Sequence, residues 1–393
     1  MVPRMPDGGP PGMNATLMSP GTLLATGQRS ITARPVAADR ALRGGAVAWL
    51  LAGLWLVCAG ASGGAEPAPE LALWPAADPR QYVVADALFL QRNNAAVDRA
   101  LVVDATTPDV PLITAADPLS VIGTGARLLY GEYDTDGLGW EVGYLGVWGM
   151  DANTTVGNAA GTLQAAGDIG FTSAGLSGGT LASVSTATQL NSGEFNILYH
   201  SFDGGFNRAS RYPWQRCDWY EGGQWDWLLG FRWAGLEDAA TLGFVPAGAP
   251  GPSTYSVQAS SNLFAAQIGA RGRWNWQRWA AEFTAKVGPA GTSLRQSQRF
   301  FDQLAPDDPF RTARASTDGD MGMIAEINLG GIYRITDVWG LRFGYDLLWL
   351  TGVALAEDQF DLSANVDPQA GTAIGTVGSV FFQGAHLGLE ARW

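Results

Sequence analysis

From about residue 81 onwards, apolar and polar positions alternate with a period of two. In QWDWLLGFRW (224–233), Trp225, Trp227, Leu229, Phe231 and Trp233 share one face, and Gln224, Asp226, Leu228, Gly230 and Arg232 share the other. RWAAEFTAKV (278–287) puts Trp279, Ala281, Phe283, Ala285 and Val287 opposite Arg278, Glu282, Thr284 and Lys286. WGLRFGYDLLW (339–349) sets Trp339, Leu341, Phe343, Tyr345, Leu347 and Trp349 against Arg342, Gly344 and Asp346. Successive strand side chains point to opposite faces, so each stretch predicts a strand with one apolar and one polar face. A soluble sandwich alternates too, so the placing of the aromatics decides. Trp339 and Trp349 are ten residues apart, about 33 Å along a strand at ~3.3 Å per residue. Tilted by ~45°, that projects to about 23 Å, close to the ~25 Å apolar band whose edges carry aromatic girdles in membrane barrels.

Ten such strands are predicted, at 81–91, 120–133, 138–149, 193–203, 224–236, 262–275, 277–289, 322–335, 339–353 and 376–393. Short connections at 134–137, 276 and 336–338 alternate with long ones, the asymmetry of periplasmic turns and outer loops. The stretch 204–223 is long where a short turn is due; it is either an enlarged turn or a further strand pair, which would raise the count to twelve. The predicted fold is therefore all-β: a closed antiparallel transmembrane β-barrel of about 10 strands. In the last stretch, GAHLGLEARW (384–393), Leu387, Leu389, Ala391 and Trp393 share one parity. That is a closing strand, and Leu387, Leu389 and Trp393 form a C-terminal assembly signal for barrel-insertion machinery. Residues 150–192, rich in Gly, Ala, Ser and Thr, read as a low-complexity loop, flexible outside or folded into the lumen as a plug. Trp225, Trp227, Trp339 and Trp349 are the expected aromatic girdle.

Composition changes the picture at the N-terminus. Arg40 and Arg43 precede the uncharged AVAWLLAGLWLVCAGA (46–61), which small residues follow. This has the order of a Sec-type signal peptide, with Ala61 or Ala65 the expected end. About 16 apolar residues fall short of the ~20 that a spanning helix needs. The expected organisation is 1–65 extension and cleaved signal peptide, 66–80 a short periplasmic lead-in, and 81–393 the barrel, in the outer membrane of a Gram-negative envelope. The whole chain has 24 basic and 37 acidic residues. Losing 1–65 removes five arginines and two aspartates, leaving 19 and 35, a net charge of −16. Such acidity argues against nucleic acid as a partner. With only Cys58 and Cys217 in 393 residues, paired-cysteine metal sites are excluded.

Catalytic chemistry finds little support. The two histidines, His200 and His386, have lumen parity and lie away from the outer rim where an omptin-like protease works. GLSGG (175–179) matches Gly-x-Ser-x-Gly around Ser177 but lacks the strand before and helix after that a nucleophile elbow requires. DTDG (134–137) and DGD (318–320) do not complete a calcium loop and read as solvated turns. No catalytic residue, cofactor or metal is expected. The polar parity instead supplies pore-lining candidates: Glu141, Asp226, Arg232, Arg271, Arg273, Glu282, Lys286, Arg342, Asp346, Glu390 and Arg392.

The stretches YVVADALFLQR (82–92), GFRWAGLED (230–238), LFAAQIGARGRW (263–274), GGIYRITDVWGLRFGYDLLWLTGVALAEDQ (330–359) and GAHLGLEARW (384–393) resemble the outer-membrane beta-barrel porin family of planctomycete bacteria. The resemblance covers nearly all of 82–393 in order. It implies an outer-membrane channel, with the lipid bilayer as partner and no cofactor, and leaves room for homo-oligomers. The preferred reading is a porin-like channel for passive diffusion of small solutes or ions, with mild cation preference if the acidic excess faces the entrance. A closed structural barrel that acts through its long outer loops is the second reading, since ten strands fall between filled and open barrels. A barrel hydrolase is the third.

Overall fold

The computed structural model describes residues 81–93, 98–118, 121–134, 137–201, 222–306, 314–336, 338–364, 371–375 and 377–393. The expected signal peptide, the lead-in and all of the 204–223 stretch but Gly222 and Gly223 lie outside them, and so do Cys58 and Cys217. Among the described residues there are thirteen strands, ten of which form the barrel wall. In wall order these are β1 (Gln81–Asn93), β4 (Gly123–Tyr133), β5 (Leu138–Gly157), β7 (Gly179–Ser201), β8 (Gly222–Pro246), β9 (Ser253–Trp276), β10 (Trp279–Phe301), β11 (Arg314–Arg334), β12 (Trp339–Val353) and β13 (Gly378–Arg392). Every neighbouring pair is antiparallel, and β1 closes on β13. Closure leaves no unpaired edge, the condition for crossing a bilayer with strands. At the foot, Gln81 and Trp393 exchange backbone hydrogen bonds of 3.0 Å in both directions. Trp393 thus ends the closing strand at the seam.

The period of two is continuous. On β10 every even residue from Ala280 to Phe300 is buried, and the odd ones face outward. The outward face of the lower wall is apolar: Trp227, Leu229, Phe231, Ile268, Leu329, Phe343, Leu387 and Leu389 are all exposed. Trp339 and Trp349 stand outward at its two edges, and Trp225 stacks on Trp227 at the foot.

The strands run much further than the alternation of large residues predicts. β8 has 25 residues and β10 has 23. At ~3.3 Å per residue β8 is about 80 Å long, and even tilted by ~45° it rises well over twice the ~25 Å apolar band. Above the band the outward face turns polar, with Ser256, Gln258 and Ser260 on β9 and Ser293, Arg295 and Arg299 on β10. The acidic DGD, 318–320, lies within β11 rather than in a turn.

The segment 150–192 is correspondingly not a loop. Met150–Gly157 continues β5 and Gly179–Ser192 continues β7, paired in register from Met150↔Thr188 to Gly157↔Leu181. Between them lie β6 (Leu163–Ala165) and one helical turn, Ile169–Thr172. β6 pairs with β2 (Ala100–Asp104), which pairs with β3 (Thr107–Thr114), making a small sheet at the outer end. Small side chains weaken the alternation here without abolishing it: Ala182, Val184 and Leu190 are buried, and Leu181, Ala187 and Gln189 are not.

Candidate functional site: the lumen and its outer closure

Each wall strand turns a ladder of side chains into the lumen, and the ladders change character at one level. Upward from the foot, β1 presents Tyr82, Val84, Asp86, Leu88, Leu90 and Arg92. β8 presents Asp226, Leu228, Arg232, Ala234, Leu236, Asp238, Ala240, Leu242 and Phe244. Both pass from charge to hydrocarbon, back to one charge, and on β8 to hydrocarbon again.

The lower section is an ion-pair network. Glu141 is fully buried and accepts from Tyr82 Oη and Arg271 Nη2, both at 2.5 Å, and from Asn196 Nδ2 at 3.0 Å. Arg273 and Arg342 bracket Glu390 and Glu282: Arg273 Nη2 lies 2.6 Å from Glu390 Oε1, and Arg342 Nη2 lies 3.1 Å from Glu282 Oε1. Arg392, a quarter exposed, reaches both carboxylates from the foot. Lys286 Nζ holds Glu194 at 2.6 Å, and Arg232 pairs with Glu326. Asp346 is a hub that accepts from Arg127, from Asn328 at 2.5 Å, and lies 2.8 Å from His386 Nδ1. Gly344 leaves the room for that ring, since a Cβ there would lie 2.5 Å from His386 Cε1. Asp226 faces His200 at 2.5 Å near the foot.

All eleven candidate pore-lining residues therefore point inward, and ten of them are buried. The sequence did not mark Asp86, Arg127, Glu194 and Glu326, which complete the network. With Arg334 at the foot, eight basic side chains stand among eight carboxylates in this section. Among the described residues the lower lumen thus carries no net charge. A cavity of about 30 Å³ remains, lined by Arg127, Arg271, Glu282, Lys286, Glu326 and Arg342 among others. That is room for a water molecule or two.

At the level of Trp349 the lumen is crossed by an apolar layer: Leu88, Leu90, Leu145, Val147, Leu190, Leu236, Leu263, Ile324, Leu350, Leu355 and Phe382. Over it lies one charged cluster. Arg92 Nη1 donates to Asp238 Oδ1 and to Thr188 Oγ1, both at 2.6 Å, and Arg92 Nη2 to Glu357 Oε2 at 3.3 Å. A second apolar core fills the outer end, from Val102, Ile113, Leu163, Ile169 and Leu176 to Leu242, Phe244, Val257, Leu294 and Phe360.

Residues 354–362 cross this upper section from β12 and form the centre of the closure. Gly352, at φ +76°, sits where the register of β12 shifts between Thr351 and Val353, and turns the chain inward. Ala354 N then donates to Ser261 Oγ at 3.0 Å, Ala356 N to Asp238 Oδ2 at 2.8 Å and Asp361 N to Tyr255 Oη at 3.0 Å. Gln298 Nε2 donates to the Gln359 carbonyl at 2.8 Å. Ala354, Leu355, Ala356, Glu357, Asp358, Gln359 and Phe360 are all buried. Burial against a dry layer pushes the Glu357 carboxyl up to about 8, with the nearby Asp238 charge as the next cause. Two segments therefore fill the mouth together: 354–362, and 163–176, whose Leu163, Ala165, Ile169 and Leu176 are buried in the same core.

The catalytic alternatives are widely separated. Ser177 Oγ donates to its own turn, to the Ala174 carbonyl at 3.4 Å, at the outer end. His200 is near the far end of β7, which starts two residues after Ser177, about 70 Å along the chain at ~3.3 Å per residue.

The family model described as "Putative beta barrel porin-7 (BBP7)" matches residues 92–393. No protein of curated function matches the sequence. Among solved structures, the outer membrane protease OmpT of Escherichia coli is 7% identical, with a TM-score of 0.42 over 80% of this chain and 97% of that one. The toluene transporter TbuX of Ralstonia pickettii is 8% identical, with a TM-score of 0.17 over 81% and 90%. Neither likeness bears on what this chain does.

Proposed function

The chain belongs to the putative beta barrel porin-7 family, and from that premise we propose that it is an outer-membrane channel for small solutes or ions, held shut at its outer mouth. The observation that carries this reading is the unlike filling of one lumen. A charged lining through the membrane band is costly to bury unless it borders water or is paired, whereas the closure above it rests largely on a segment outside the wall strands. The eleven inward residues, from Glu141 to Arg392, would line the path. The acidic excess supports a mild cation preference, because it lies outside, in Asp98, Asp104, Asp109, Asp117, Asp151, Asp318 and Asp320, while the lower lumen is neutral. Passage is by diffusion, without cofactor or covalent step, and the chain is read as a non-enzyme.

The second reading, a closed structural barrel, draws support from the two packed apolar layers. Proteoliposome swelling separates the two. Influx of small solutes, faster when 354–362 is replaced by a Gly/Ser linker, supports the channel. No influx with either protein, both migrating as folded, heat-modifiable barrels, would leave the closed structural reading in place.

A further inference from the structure

The mouth holds two carboxyls and one guanidinium in a site that water does not reach. Asp238 and Glu357 side chains are 0% and 1% exposed, and Arg92 faces both. Ionising both carboxyls leaves one negative charge uncompensated between two apolar layers. Neutral Glu357 leaves the Arg92–Asp238 pair balanced. The other groups facing the segment are Thr188 on β7, Ser261 and Tyr255 on β9, and Gln298 on β10. Arg99, ahead of β2, donates to the Glu357 carbonyl at 3.0 Å, and Asp358 is the neighbour within the segment.

We propose that residues 354–362 are a proton-latched plug: Arg92, Asp238 and protonated Glu357 seat the segment in the mouth, and loss of that proton to water unseats it. The latch deepens the channel reading: its role in regulating passage rests on that reading, while the proton-dependent seating of the segment does not. Burial supplies the sign. The seated carboxyl titrates at about 8, and a free glutamate near 4.3. The latch is therefore fully engaged below the free value and weakens as pH rises towards the seated one. Between those limits the unseated fraction grows about tenfold per pH unit, and above about 8 it levels off. Asp238 shapes the response twice, by its charge beside Glu357 and by its bond to Ala356 N.

The test reads seating itself. In a background with Cys58→Ser and Cys217→Ser, reaction of Ala356→Cys with a soluble maleimide is measured in lipid vesicles from pH 5 to 9. The rate is divided by that of Thr317→Cys, on an exposed part of β11, to remove the thiol's own titration. Leu355→Cys serves as a second reporter should the first fold poorly. The ratio is expected to climb steeply between pH 5 and 8 and then flatten. Glu357→Gln removes the climb, and Asp238→Asn moves the flattening to lower pH. A ratio constant with pH, or a climb that survives Glu357→Gln, overturns the latch. Conductance recorded in parallel keeps the two ideas apart: a climbing ratio with silent membranes throughout refutes the channel and leaves the latch standing.

Discussion

Below the level of Trp349 the lumen is filled by paired charges; above it, by hydrocarbon. Both sections are closely packed, yet they are held differently. The lower network is made wholly by wall strands, whose positions closure of the barrel fixes. The upper core depends on segments that return from the ends of strands, namely 354–362, the β6 region and the small β2–β3 sheet. A charged network on a rigid wall has little freedom to rearrange. A packed segment tethered at its ends can leave as a cooperative unit without opening the wall. The pore, if it opens, opens from above.

The largest stability effect is expected in the lower section. Glu141→Ala leaves Arg271 buried without its closest partner, at a cost of about 3–5 kcal/mol, read as a fall in the temperature at which the heat-modifiable form is lost. The paired replacement Glu141→Gln with Arg271→Met sharpens the point, because removing both charges recovers most of that loss. Next comes Leu350→Ala in the apolar layer, at about 2–5 kcal/mol by cavity formation. Its mark is regional: faster hydrogen exchange in 354–362 and the outer strand ends, with the lower wall unchanged. Equal loosening of both sections would mean that they form one cooperative unit. The smallest effect is that of Ser177→Ala, within about 0.5 kcal/mol and with no loss of any activity; a lost hydrolytic activity would reopen the enzyme reading.

The lower barrel was legible in the sequence because lipid on one side and charge on the other impose a strong contrast between neighbours. Leu341 to Leu347 and Ala281 to Val287 carry that contrast, with Arg342, Asp346, Glu282, Thr284 and Lys286 on the inward face. The inward parity of Glu282, Arg342 and Glu390 followed directly. Arg127 was not assigned because GTGARLLYG has small or apolar residues on both faces. Above the membrane the contrast fades, since water and a small-residue interior both accept Ser, Thr and Ala; TLASVSTATQ (180–189) is a strand that reads as low complexity. Glu357 was invisible for another reason. It lies outside the periodic strands, and its neighbours Arg92, Thr188 and Asp238 are 265, 169 and 119 positions away in sequence. Only the closed barrel brings them together.

Single-channel conductance in a planar bilayer tests most directly where the lumen is closed. Three proteins suffice: the unaltered chain, one with 354–362 replaced by a Gly/Ser linker, and one carrying the paired Glu141→Gln and Arg271→Met change. Discrete steps from the linker variant alone, small because the paired lower lumen leaves space for only a water molecule or two, with the paired variant as quiet as the unaltered chain, are the expected result. Steps from the paired variant and silence from the linker variant would contradict it, placing the closure in the charged section instead.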